Sequence, residues 1–257
     1  MFDFLFPPKC PVDDATRGWV RDRYAWLTAR FGDEAFLQPM VLPTTEFFPE
    51  RFDGSLAALE SVMHRIAERL GVASSSLQLE LFDDGDAYMD LLRQNQLEGR
   101  SRTEGAAGWF AEHESYSGFS AQFRIALGQS AARDPVVAVA TLAHEVCHAL
   151  LLGDHHLEGH EEDLEPLTDL ATVFFGFGVF TANAGVREQA WQQGALHGWR
   201  IARHGYLPAS TVGFALAWHA ALRRESSPAW AGRLRADVRA PFRKAQRYLR
   251  QPAKRKG

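Results

Sequence analysis

The stretch from Asp134 to Gly153 constrains this chain more than any other. Asp134 can cap the first free N–H groups of a helix, Pro135 suits its first position, and Gly153 suits a left-handed stop, so the signals predict one helix over 135–152. Ala138, Val139, Leu142, Ala143, Val146, Ala149, Leu150 and Leu151 make that helix apolar nearly all round, and such a helix is buried. Cys147 reads as one more apolar neighbour. A buried helix carrying His144, Glu145 and His148 must satisfy three polar side chains, and a metal ion does so.

His144 and His148 stand four residues apart on one helix face, where two imidazole nitrogens reach a single zinc ion at about 2.0–2.1 Å. Glu145 points beside the ion and can take a proton from water whose pKa zinc lowers to about 7. A tetrahedral ion needs a third protein ligand, and the acidic stretch Asp154, Glu158, Glu161, Glu162, Asp163 and Glu165 follows directly. Glu165 is preferred because it opens a helix with Asp169 four residues later on the same face. One carboxylate can then bind metal while the other accepts the free N–H of a ligand histidine. Glu161 and Glu162 remain alternatives, as do His155, His156 and His160.

The two halves, His144-Glu145-Val146-Cys147-His148 and Glu165-Pro166-Leu167-Thr168-Asp169, resemble the gluzincin class of zinc metallopeptidases, the thermolysin-like group, in which HExxH on one helix is completed by ExxxD on the next. The resemblance covers roughly residues 105 to 182 and points to no particular subfamily. It implies a zincin-like core with His144, His148 and Glu165 on Zn2+, Glu145 as general base and proton shuttle, and Asp169 supporting His144. It also implies a strand before the first helix that pairs with an extended peptide or protein substrate, and a Tyr or His from the C-terminal helical part that stabilises the oxyanion. Tyr206, on a loop between helices, is the chosen donor, with His197, His204 and His219 as alternatives. The metzincin pattern is disfavoured, since Leu151 and Asp154 occupy the places of its Gly and third His.

Elsewhere the spacing predicts a helix over 14–31 closed by Gly32, and one capped by Ser55 and ended by Gly71, joined by an irregular stretch holding Pro39, Pro43 and Pro49. Leu77, Leu79 and Leu81 alternate as in a strand with one buried face. A short helix over 87–94 and a polar loop over 93–105 follow, with candidate strands at 107–111 and 123–127. Helices are expected over 166–180, 185–203, 208–224 and 229–249, and the aromatic run Phe174 to Phe180 reads as buried packing. The fold class is α+β, mostly helical: an N-terminal α/β extension over 1–104, a core over 105–228, and a basic C-terminal helix and tail over 229–257.

Hydrophobic residues at 46% and charged ones at 23% describe a folded chain rather than a disordered one. The N-terminus has too short an apolar run for a secretory signal or a membrane span, and two cysteines are too few for a disulfide framework, so a cytoplasmic location is expected. From Arg233 to Gly257 ten Lys and Arg face one acid, Asp237, whereas the rest has 18 basic and 31 acidic residues. That tail can bind nucleic acid, although a solvated helix end balancing an acidic body explains it as well. Two rivals to a hydrolase therefore stand: a non-catalytic zinc-binding interaction protein, and a DNA-associated protease recruited by the tail.

Overall fold

The computed structural model describes residues 8–83, 108–113, 122–153, 157, 162–184 and 207–251. The helices expected over 87–94 and 185–203, the loop over 93–105 and the last residues of the basic tail lie outside them.

Helices begin where the sequence supplies caps. In α1 (Asp14–Phe31) Asp13 Oδ1 accepts the Thr16 N–H at 2.7 Å, and Gly32 at φ 81° turns the chain into the short α2 (Asp33–Leu37). In α3 (Leu56–Leu70) Ser55 Oγ accepts the Ala58 N–H at 3.3 Å, and Gly71 closes the helix in the left-handed region. No helix or strand crosses 38–55, where the prolines sit. A 3-10 turn, Ser74–Ser76, leads into β1 (Leu77–Phe82).

The sheet has the order β1-β3-β2, with β2 spanning Gly108–His113 and β3 Gln122–Gly128. β1 runs parallel to β3 with Leu79 opposite Ile125, and β2 runs antiparallel with Phe110 opposite the same residue. β3 is therefore the central strand, and its side chains from Phe123 to Leu127, Arg124 excepted, are buried. After α4 (Gln129–Ala132) comes α5 (Pro135–Leu152), whose cap Asp134 accepts N–H groups from Val136 at 2.9 Å and Val137 at 3.4 Å. By length and composition α5 could cross a membrane, but 78% of it is buried inside the protein, as befits a core helix. Gly153 does not make the expected left-handed stop: with φ −63° and ψ 151° the chain simply leaves in an extended course.

Two expected helices are broken. The one over 166–180 is instead α6 (Leu164–Phe174), after which Gly176 at φ 88° turns the chain; the segment is helical again over 178–184. The Gly176 carbonyl, released from helical bonding, accepts the Val41 N–H at 2.9 Å. The one over 229–249 divides into a 3-10 turn, Ala229–Arg233, and α8 (Ala236–Leu249), preceded by α7 (Ala209–Leu222). The aromatic run is buried as expected, with Phe174, Phe175, Phe177 and Phe180 each at most 3% exposed.

The architecture is α+β and mostly helical. It forms two compact units, each assembled from separated segments. One comprises Met1–Leu42, Asp169–Asn183 and Tyr206–Gly257. Its core joins Tyr24, Phe36 and Phe174, with ring centroids 5.3 and 5.7 Å from Phe174, to α7 and α8. On α8, Val238, Phe242 and Ala245 face inward while Arg243, Lys244 and Arg247 are exposed. The other comprises Pro43–Thr168 and Ala184–Gly205. There α3 supplies Leu59, Met63 and Ile66 and packs on α5, beside the sheet.

Two glycines give opposite expectations. A β-carbon at Gly213 of α7 would lie 2.9 Å from the Phe242 amide nitrogen and 3.0 Å from the Val238 carbonyl, backbone atoms of α8 that cannot rotate aside. At Gly18, inside α1, it would meet nothing within 4 Å. Gly213→Ala is expected to destabilise by about 1–3 kcal/mol and Gly18→Ala to stabilise by about 0.5–1 kcal/mol, measured by denaturant unfolding.

Candidate metal centre

Helix α5 brings His144 and His148 to one face, and the first turn of α6 places Glu165 against both. His144 Nε2 lies 3.1 Å from Glu165 Oε2, and His148 Nε2 lies 3.1 Å from Oε1 and 3.2 Å from Oε2. The imidazole centroids are 4.8 Å apart at 74°, and the three candidate ligand atoms all fall within 4.8 Å of one another. Ligand atoms about 2.0–2.1 Å from one tetrahedral ion sit about 3.3 Å apart, close to the separations of Glu165 from each histidine. Both histidines are buried, whereas Glu165 keeps 29% of its side chain exposed.

The hydrogen bonding on the far side of His148 decides what its near side offers. Thr168 Oγ1 donates its one hydrogen to the Leu164 carbonyl at 2.8 Å, so toward His148 Nδ1, at 3.4 Å, it can only accept. With the imidazole proton on Nδ1 the Nε2 lone pair faces the carboxylate, and with it on Nε2 the ring donates to Glu165. Two acceptors at hydrogen-bond distance repel unless a proton or a cation lies between them. The donor set, two imidazole nitrogens and one carboxylate around a buried focus, fits zinc with a further position left for water or substrate. Sequence reasoning missed Thr168, although its place one turn beyond Leu164 and three residues after Glu165 is a helical signal for this contact.

Glu145 is buried at 5% exposure beside this group. Burial raises its pKa, the neighbouring His144 and His148 lower it, and the charge of Glu165 raises it again, with the net direction upward. Burial also acts to raise the pKa of Glu165, but hydrogen bonds from His144 and His148 outweigh it and hold that carboxyl well below the usual range. The two carboxyls are thus pushed apart: Glu165 stays an anion suited to binding a cation, and Glu145 is the more basic of the pair.

The other sequence candidates fare differently. Asp169 is buried, and its Oδ2 accepts the Leu207 N–H at 2.8 Å. Glu162 is exposed in the turn before α6. His219 is fully buried with Nδ1 2.6 Å from the Tyr24 hydroxyl, a core histidine within an aromatic cluster. Tyr206, His197, His204, His155, His156, His160, Asp154, Glu158 and Glu161 lie outside the described residues.

Comparison with protein families, with curated proteins and with solved structures finds no match, so what the centre can do is read from its own chemistry. If zinc occupies this group, Thr168 touches one of its ligands without binding the ion, and Thr168→Val is expected to weaken zinc binding about 10–100-fold while the fold persists. Zinc titration against a competing chelator, with circular dichroism alongside, checks this.

Proposed function

We propose that this chain is a zinc-dependent metallohydrolase, and within that class a metallopeptidase with a zincin-like core of the gluzincin type. One observation carries the reading: His144 and His148 present Nε2 to the Glu165 carboxylate at 3.1–3.2 Å, with Thr168 Oγ1 3.4 Å from the opposite nitrogen of His148. Zinc bound there supplies Lewis acidity, acidifying water to a pKa of about 7 and polarising a carbonyl.

The chain's own residues then perform the proton work. Glu145, kept basic by burial, takes the proton from the attacking water and delivers it to the leaving nitrogen as the amide bond breaks. His144, His148 and Glu165 contribute two neutral ligands and one negative charge, and Thr168 prevents the His148 ring from turning. Tyr206 is the proposed donor to the developing oxyanion, and Asp169 the proposed support of His144. For an extended peptide or protein substrate, strand addition is assigned to an outer strand, β1 or β2, because β3 pairs on both sides among the described strands.

Glu145 also separates this reading from a non-catalytic zinc protein, since a structural zinc needs no base beside it. The purified wild type is expected to hold about one zinc per chain by mass spectrometry, lost in His148→Ala and Glu165→Ala. Glu145→Gln is expected to keep the zinc and to reduce cleavage of a fluorogenic peptide library by about 10²–10⁴-fold. Full zinc in all three variants would remove the assigned ligands, and undiminished cleavage by Glu145→Gln would remove the assigned base.

A further inference from the structure

One turn before Glu145, helix α5 buries a hydroxyl with nothing to bond. Thr141 is 5% exposed, and its Oγ1 has no hydrogen-bond partner among the described residues. Threonines elsewhere in these helices satisfy themselves by bonding backward to the main chain: Thr28 to the Tyr24 carbonyl at 2.9 Å, Thr168 to Leu164 at 2.8 Å and Thr172 to Asp169 at 2.7 Å. Thr141 does not do this with the carbonyl one turn back. A buried polar group left unsatisfied destabilises the fold, so its retention in an otherwise apolar stretch calls for a partner that arrives when the site works.

Helical spacing indicates which group that is. Thr141 precedes His144, Glu145 and His148 by three, four and seven residues and so belongs to their stripe. Side chains on a helix lean toward its N-terminus, and the residue that leans over the turn of Thr141 is Glu145. Alanine or valine would fill this place at no polar cost, as Ala138, Val139 and Ala143 do nearby.

We infer that Thr141 is a positioning residue for Glu145: its Oγ–H donates to a water that bridges to one carboxylate oxygen, and this leaves the other oxygen aimed at the attacking water. The threonine keeps its proton throughout; only Glu145 gains and releases one. This role rests on the hydrolase reading above and adds to it a residue that touches neither the ion nor the substrate.

The test compares the zinc-loaded full chain with Thr141→Val, which keeps the shape and removes the hydroxyl, and Thr141→Ser, which keeps the hydroxyl. The probe is the fluorogenic peptide that the wild type cleaves best. Thr141→Val is expected to lower kcat about tenfold with KM and zinc content unchanged. Thr141→Ser is expected to retain near wild-type kcat. Wild-type kcat in Thr141→Val overturns the role while leaving the hydrolase reading intact, and a lowered Tm in Thr141→Val with equal impairment of Thr141→Ser reduces the residue to a structural one. A wild type that holds zinc and cleaves no peptide overturns the hydrolase reading and this role with it.

Discussion

A single carboxylate held between two imidazole nitrogens organises this protein's chemistry. Glu165 faces His144 and His148 at 3.1–3.2 Å, and both histidines are buried. Charge taken out of water is costly unless it is paired, so the two helix segments that carry these groups cannot drift apart without exposing an uncompensated set. The apolar character of α5 follows from this: Leu142, Val146 and Cys147 are fully buried around the polar stripe and keep the surroundings dry. In such surroundings each electrostatic interaction is stronger than it is in water.

The same burial separates the roles of the two glutamates. Both are pushed upward by desolvation, but Glu165 has histidine hydrogen bonds that more than reverse the effect, whereas Glu145 has only the charges nearby. Position on the helix explains the difference. Residues 144 and 148 lie about 40° apart around α5, and residue 145 lies about 60° to the side, close enough to feel the group and displaced from its focus. Two carboxylic acids of nearly equal intrinsic strength are thereby shifted in opposite directions.

Around this centre the threonines mark where the structure spends hydroxyls. Thr168 donates to the Leu164 carbonyl and its oxygen lies 3.4 Å from His148 Nδ1. Thr141, by contrast, is buried without a partner among the described residues one turn before Glu145. The sheet beside α3 and α5 is ordered around β3, so the outer positions among the described strands fall to β1 and β2.

Local signals determined a good deal by themselves. Ser55 and Asp134 cap helices as expected, because capping involves backbone groups only a few residues away. The histidine pair on α5 is legible for the same reason, since residues four apart share a face in any regular helix. Other features came only with the tertiary structure. The stop at Gly153 is extended rather than left-handed, and Gly176 breaks a stretch whose apolar spacing reads as one continuous helix. The approach of Glu165 to both histidines is visible only when its helical turn is folded against α5, and so is the contact of Thr168 with a ring twenty residues earlier. Which carboxylate, hydroxyl or glycine does the work depends on contacts between distant segments. Periodicity along the chain carries no record of those contacts, because helical spacing specifies faces and not the partners that meet them.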